Sequence, residues 1–190
     1  MLTAGCAPAT NPELGDLRWV VPSPEIPAEI LPQASNNNVS IALFNERLFM
    51  AWRSSETHFA SAGSAMHMVS SENLGATWDF EATWTLGTDV REPLLYVVGG
   101  TLFFQFFEAG TGPLAFEPIQ IWRVEYEGPG NWTEPVSWGE ESEVPWEVVV
   151  RDARFSIVVR AFVAVQNVNF SKPLSTISRS PSRVTVMDDD

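Results

Sequence analysis

NERLFMAW, residues 45–52, and GGTLFFQFF, residues 99–107, share one form: a tight turn followed at once by an apolar strand. DARFSIVV, residues 152–159, repeats that form a third time. Aligned on Leu48, Leu102 and Phe155, the three stretches are offset by 102 − 48 = 54 and 155 − 102 = 53 positions. Self-similarity at a fixed distance is the property that decides the architecture of a repeat protein.

The tryptophans follow the same period as these turn-strand stretches. Trp78 and Trp132 are offset by 132 − 78 = 54 positions, and Trp84 and Trp138 by 138 − 84 = 54 positions. Agreement between independent landmarks indicates an internal repeat, because chance would supply one such coincidence but hardly all of them.

Each repeat reads as four strands, rich in β-branched and aromatic residues and separated by Gly, Pro, Asn, Asp and Ser. No long segment has the apolar stripe of a helix. A four-stranded antiparallel unit that repeats at roughly 50 residues is typical of a β-propeller blade, with a β-sandwich as the alternative. The predicted strands are near 39–44, 47–53, 65–70 and 77–84 in the first unit, and near 94–98, 101–107, 119–126 and 132–138 in the second.

The repeat fades in the third unit, so the chain divides into three parts. Residues 1–18 are predicted to be a leader or tether, residues 19–160 a partial propeller, and residues 161–190 a divergent, disordered tail. Two blades and part of a third fall short of the roughly four to eight that close a propeller. We therefore expect a fragment of a longer protein; assembly from several copies is the alternative.

Composition limits the classes of function. With 45% hydrophobic and 18% charged residues, the 190-residue chain has a globular balance. A net charge of −13 argues against nucleic acid as a partner. The sequence contains no run of 18 apolar residues, so no transmembrane span is predicted. One cysteine and two histidines make a zinc site improbable, and we expect neither a metal nor another cofactor.

The single cysteine, Cys6, lies in LTAGC, which resembles the end of a bacterial lipoprotein signal. This resemblance predicts an exported protein with a lipid anchor at Cys6. Thr3 stands where an aliphatic residue is usual, and the basic and apolar regions of a signal are missing. The alternative is an ordinary thiol in a flexible leader.

The stretch SSENLGATW, residues 70–78, carries a second motif. A short polar side chain at Asn73 is predicted to accept backbone N–H groups across the turn. Gly75 is free to adopt a positive φ, and Trp78 is predicted to bury its ring between sheets. The pattern resembles the Asp-box of the sialidase superfamily, Ser-x-Asp-x-Gly-x-Thr-Trp, with Asn in the Asp position; the matching residues are Ser71, Asn73, Gly75, Thr77 and Trp78.

Further segments strengthen this resemblance across about residues 35 to 152. LFMAWRSSETHFAS, TDVREPLL, FEPIQIWR and VPWEVVVRD are similar to segments of bacterial sialidase-like (BNR-repeat) propeller proteins. The resemblance implies an all-β propeller of sialidase type, six-bladed when complete, that acts on glycans. After Asp152 the sequence departs from the family pattern, and the second unit has no proper Asp-box.

Blade connectivity predicts where chemistry gathers. The Asp-box and the first-to-second turns share one face, so the second-to-third loops and the blade connections lie on the other. Arg53 and Arg91, with Arg151 as a third, are candidates for binding a sugar carboxylate. The catalytic candidates are Arg53, Asp89, Arg91, Glu92 and Glu147, with Asp89, Glu92 and Glu147 for proton transfer; the substrate-binding candidates are His58, Phe59 and Asn37.

Two functions remain open. The first is a sialidase-like glycoside hydrolase, exo-acting on glycans, of which this chain alone is an inactive fragment. The second is a non-catalytic module that binds a glycan or a protein. Neither Tyr96 nor Tyr126 lies in a nucleophile motif, which favours the second. Arg91–Glu92 as an ion pair is the structural alternative at the site, and Trp52 and Trp146 are interpreted as packing residues.

Overall fold

The computed structural model describes residues 17–151, 154–161 and 182–187, with side chains described for residues 17–149. These residues form twelve β-strands in antiparallel sheets, and the described part of the chain has no helix. The all-β prediction is therefore confirmed.

The first sheet has four strands in sequential order and matches the first predicted unit. Its strands are β1 (Ser35–Phe44), β2 (Arg47–Ser55), β3 (Ala65–Ser71) and β4 (Asp79–Trp84). β2 and β3 are buried along nearly their whole length, whereas β1 alternates between exposed and half-buried residues. The central strands of the sheet therefore carry the core.

The second sheet repeats this order, and the third contains three strands. The second comprises β5 (Asp89–Val98), β6 (Thr101–Ala109), β7 (Pro118–Gly128), β8 (Asn131–Trp132) and β9 (Val136–Trp138), the last two both pairing with β7. The third comprises β10 (Glu143–Arg151), β11 (Arg154–Ala161) and β12 (Ser182–Met187). The first strands of the three sheets begin at Ser35, Asp89 and Glu143, offset by 89 − 35 = 54 and 143 − 89 = 54 positions, which confirms the repeat.

Apolar side chains fill the space between successive sheets. Phe49 and Met68 of the first sheet pack with Leu102, Phe104 and Phe106 of the second, and all five are fully buried. A second cluster joins the far face of the second sheet to β10 through Val144. Because the second sheet packs against the first sheet on one face and against β10 on the other, its central strands have apolar residues on both faces.

The N-terminal segment covers part of the outer face of the first sheet. Ile30 packs there with Met50, Trp52, Val69 and Trp78. The same face of β1 stays open, because Val39, Ile41 and Leu43 are 63%, 62% and 63% exposed. Burial of Trp52, which is 1% exposed, confirms it as a packing residue.

A buried carboxylate, for which the sequence pattern gave no signal, joins the first two sheets. Glu81 on β4 is 3% exposed and accepts a hydrogen bond from Ser70 Oγ at 2.6 Å. Its other oxygen accepts from the backbone N–H of Gly130 at 2.8 Å and from Trp132 Nε1 at 3.3 Å. Donors from both sheets thus satisfy one buried charge, as burial requires.

Three details differ from the sequence expectations. The strand predicted at 132–138 is split into β8 and β9, because Pro135 lies between them and cannot donate to a ladder. β12 lies within residues 161–190, where no strand was expected, because its residues pair with β11. Trp146 is 46% exposed rather than buried, since it stands at an irregularity of β10.

No helix in the described residues is long and apolar enough to cross a membrane.

Candidate functional site

The 71–78 loop between β3 and β4 is held by its own side chains. Ser71 Oγ accepts from the N–H of Gly75 at 2.7 Å, and Asn73 Oδ1 accepts from the N–H of Thr77 at 2.9 Å. Asn73 Nδ2 donates to Thr77 Oγ1 at 2.9 Å. Gly75 has φ +81°, and Trp78 is 9% exposed. The hydrogen bonds predicted for Asn73, the positive φ of Gly75 and the burial of Trp78 are all present.

Replacement of Gly75 by Ala is expected to destabilise the fold by about 2 kcal/mol, because a left-handed alanine costs roughly 1–2 kcal/mol and overpacking adds to it. A Cβ at Gly75 would lie 2.8 Å from Trp78 Cζ2. Gly100→Ala is the matched control, since Gly100 has φ +83° and no neighbour within 4 Å. Urea unfolding of both variants measures the difference; equal losses would show that contact with Trp78 adds nothing.

The connections are divided between the two edges of the sheets as predicted. The β1–β2 turn at Asn45 and Glu46, the β5–β6 turn at Gly99 and Gly100, and the 71–78 loop share one edge. The β2–β3 loop, residues 56–64, and the β6–β7 loop, residues 110–117, lie at the opposite edge, where β1, β5 and β10 begin. The predicted site residues belong to this second edge.

A buried ion network links the first two sheets there. Arg53, at the end of β2, and Asp89, at the start of β5, have side chains that are 0% exposed. Arg53 Nη2 donates to Asp89 Oδ1 at 2.6 Å, and Arg91 Nε donates to Asp89 Oδ2. Two arginines thus share one carboxylate. The predicted Arg91–Glu92 ion pair was wrong, because Asp89, two residues away on the same strand, pairs with Arg91, while Glu92 bonds to Asn38.

The same arginines hold the β2–β3 loop. Arg53 donates to the carbonyl oxygens of Phe59, at 3.0 Å, and Thr57, at 3.4 Å. Arg91 Nη2 donates to the carbonyl oxygen of His58 at 3.0 Å. Arg53 is completely enclosed by these partners, so its position is that of a support for the loop, whereas Arg91 remains partly exposed.

A cavity of about 290 Å³ opens above this network, between the β2–β3 and β6–β7 loops. Its polar floor includes Asp89 and Arg91, and most of the lining is apolar or aromatic, a composition usual for small-molecule sites. The β6–β7 loop was missed because its apolar residues carry no sequence signal for a site. The walls comprise His58, Phe59, Ala60, Ala109, Pro113, Leu114, Ala115 and Phe116.

The buried ion network beneath the cavity has an excess of positive charge. Arg53, Arg91 and Asp89 together carry a formal charge of +1 (two arginines and one carboxylate), although the whole chain carries −13. Charge interactions strengthen where low-dielectric walls exclude water. The arrangement is therefore suited to an anionic group held against Arg91.

Three other predicted residues lie at the same edge without lining the cavity. Glu92 accepts a hydrogen bond from Asn38 Nδ2 at 2.7 Å. Asn37 Nδ2 donates to Ser35 Oγ at 2.9 Å, while its Oδ1 is buried without a partner among the described residues. Glu147 is exposed near the start of β10. The catalytic and binding roles of these residues stay predictions.

The two tyrosines lie in the packing between sheets. Tyr96 donates from its hydroxyl group to Gln105 Oε1 at 3.1 Å and stacks on Phe103. Burial raises the pKa of Tyr96 to about 12. Tyr126 packs edge-on against Phe49 and Trp132, and burial raises its pKa as well. A nucleophilic tyrosine needs the opposite shift, which agrees with assigning neither residue that role.

The described residues include neither a candidate metal site nor the cysteine predicted to carry a lipid. Among residues 17–149 no group of three or more His, Cys, Asp or Glu is placed to hold a metal ion. Cys6 lies outside the described residues, and so does the side chain of Arg151.

The repeated antiparallel sheets, with their turns and the candidate site on opposite edges, define a partial β-propeller, as solved structures confirm. No protein-family model matches the chain, and no curated protein matches it. The GH43_1 enzyme from Xanthomonas citri complexed with xylotriose is similar over 80% of this chain and 50% of that enzyme, with a TM-score of 0.53 at 13% identity. The same enzyme complexed with xylose matches equally well, with a TM-score of 0.53 and 51% of that chain covered.

An alpha-L-arabinofuranosidase from Lactobacillus brevis matches 67% of this chain and 45% of its own, with a TM-score of 0.47 at 17% identity. The Xanthomonas citri structures are of a GH43_1 enzyme and not of a sialidase. The chain thus spans about half the length of the solved structures it resembles. At such identities the likeness establishes the β-propeller fold.

Proposed function

We propose that this chain is part of a glycan-acting β-propeller and that it binds a sugar carboxylate in the cavity between the β2–β3 and β6–β7 loops. The observation that carries the proposal is the Arg53–Asp89–Arg91 network, whose formal charge of +1 lies under an apolar and aromatic cavity. The similar structures are enzymes that act on glycans, one of them complexed with xylotriose.

The contacts of the cavity explain how such a ligand would be held. Arg91 is fixed by Asp89 and by the carbonyl oxygen of His58, so little side-chain freedom is lost when it binds a ligand. Phe59 and Phe116 present apolar surface on both sides, and Phe59 is 56% exposed. A carboxylated sugar has both an anionic group for Arg91 and C–H faces for the two rings.

Arg91→Met is expected to weaken binding of N-acetylneuraminic acid at least tenfold, because a hydrogen bond to a charged group contributes about 1.5–3 kcal/mol. Titration calorimetry on the full chain measures the affinity, with N-acetylglucosamine as the neutral comparison. Arg47→Met is the matched control, since Arg47 pairs with Glu72 and Asp79 at the opposite edge.

The binding should also weaken as salt rises from about 0.05 to about 0.5 M, because screening shortens the reach of charge interactions. Equal affinity of wild type and Arg91→Met for the acidic sugar, with circular dichroism showing both folded, would contradict the proposed cavity. Loss of binding in Arg47→Met alone would move the site to the other edge.

We further propose that a longer protein containing this chain has a sialidase-like hydrolytic activity. The resemblance to the sialidase superfamily supports it, and the hydrogen bond from the N–H of Thr77 to Asn73 Oδ1 agrees with that resemblance. For this chain by itself we propose binding without hydrolysis, since both tyrosines pack between sheets and Asp89 is held by two arginines. Release of fluorophore from fluorogenic sialosides by the 190-residue chain would overturn that restriction. Export and a lipid anchor at Cys6 stay predictions.

A further inference from the structure

The first strand of each sheet has a β-bulge at the same position of the repeat. The pairing register shifts between Asn37 and Val39 in β1, between Arg91 and Leu94 in β5, and between Pro145 and Glu147 in β10. The extra residues are 54 positions apart each time (92 − 38 and 146 − 92). They are Asn38, Glu92 and Trp146.

A bulge repeated at one position of all three sheets belongs to the architecture rather than to local sequence, because the three residues share no chemistry. In the first two sheets the backbone at the bulge is left-handed, with φ +52° at Asn38 and +50° at Glu92. That conformation is unfavourable for glutamate. Bulges occur next to functional sites, where they re-aim a side chain.

The re-aimed side chains meet across the boundary between sheets. Asn38 Nδ2 donates to Glu92 Oε1 at 2.7 Å, although the two residues belong to different sheets. The equivalent position on β10 carries Trp146, which is 46% exposed. Trp52 and Trp78 are buried by contrast, so Trp146 differs from them in presenting a large aromatic surface to solvent.

We propose that Asn38, Glu92 and Trp146 form a second ligand site, for a neutral sugar ring, at the edge where β1, β5 and β10 begin. The indole of Trp146 covers the C–H face of the ring. Glu92 Oε2 and Asn38 Oδ1 accept hydrogen bonds from sugar hydroxyl groups, because Glu92 Oε1 and Asn38 Nδ2 are already joined.

The charge at this site selects the ligand class. Glu92 and the exposed Glu147 repel an anionic sugar, and neither residue is paired with a cation among the described salt bridges. The neutral-sugar site is therefore distinct from the cavity in which Arg91 is exposed. The choice of a glycan as ligand rests on the proposed function, whereas the position of the site does not.

Nuclear magnetic resonance of the full chain tests this site directly. Each of the eight tryptophans contributes one indole N–H signal, and Trp146→Phe identifies that of Trp146. Lactose and xylotriose are titrated as neutral probes, with N-acetylneuraminic acid as the acidic one. We expect the Trp146 signal to shift with the neutral sugars, and the dissociation constant to rise at least tenfold in Trp146→Ala and Glu92→Gln.

Matched variants separate this site from a general loss of structure. Trp19→Ala removes a tryptophan that is 84% exposed elsewhere and should leave neutral-sugar binding unchanged. Trp146→Phe keeps an aromatic face and should retain binding within about threefold. Arg91→Met should weaken only the acidic probe, so failure of the cavity and failure of this site give different results. A Trp146 signal that does not move with either neutral sugar, or unchanged affinity in Trp146→Ala, would overturn the inference.

Discussion

Replacement of Asp89 by Ala is expected to destabilise the protein by about 3–5 kcal/mol, because removal of one partner from a buried ion pair leaves an uncompensated buried charge. Arg53 and Asp89 are both 0% exposed, and Arg91 depends on the same carboxylate. The variant would leave two guanidinium groups facing each other without a counter-charge. Urea unfolding at low temperature, monitored by circular dichroism, measures the loss of stability.

Two further variants separate the buried charge from other effects of the substitution. Glu72→Ala breaks the ion pair with Arg47, in which Glu72 is 72% exposed, and should cost less than about 1 kcal/mol. Arg53→Met combined with Asp89→Leu removes two of the three charges and should recover part of the lost stability. A loss below about 1 kcal/mol in Asp89→Ala would show that solvent enters the network and screens it.

Strands and period were predictable because their signals are local. Alternating apolar residues and turn residues such as Gly99 and Gly100 act on neighbouring residues, and a repeat presents those signals more than once. The prediction of one continuous strand at residues 132–138 was wrong at Pro135, although the sequence shows that this residue has no N–H to donate. The predicted hydrogen bonds of Asn73 were also local, since they join it to Thr77 in the same turn.

The site was predictable only as a set of residues at one edge. Arg53 and Asp89 become partners only because two sheets pack together. They are 36 positions apart in the chain, so the sequence does not predict this ion pair. Phe116 was missed because an apolar loop residue looks the same whether it lines a cavity or lies on the surface. Two of the three bulges had a signal, because Pro93 and Pro145 interrupt their strands and the repeat period joins Glu92 to Trp146.

Acid is expected to destabilise the fold through His67, by about 2 kcal/mol between pH 7 and pH 5. His67 on β3 is 5% exposed, lies against Trp52, and contacts Thr83 Oγ1 through Nδ1 at 2.9 Å, while its Nε2 is buried without a partner among the described residues. Burial lowers the pKa of His67 from 6.5 to about 4. Below pH 6.5 the unfolded chain therefore binds a proton that the folded protein refuses, and stability falls until the pH passes through about 4.

His67→Leu removes the titrating group and fills a similar volume, and the exposed Thr83 hydroxyl then bonds water. The loss of stability on acidification should be smaller in this variant than in wild type by about 2 kcal/mol, whatever the acidic residues contribute to both. His58→Gln is the matched control, because His58 is exposed on the β2–β3 loop and its replacement should leave the wild-type pH dependence intact. Urea unfolding from pH 7 to pH 5 stays above the isoelectric point of about 4.4, where solubility is lowest. Parallel pH profiles for wild type and His67→Leu would show that the imidazole takes up its proton in the folded state, and hence that water reaches the space beside Trp52.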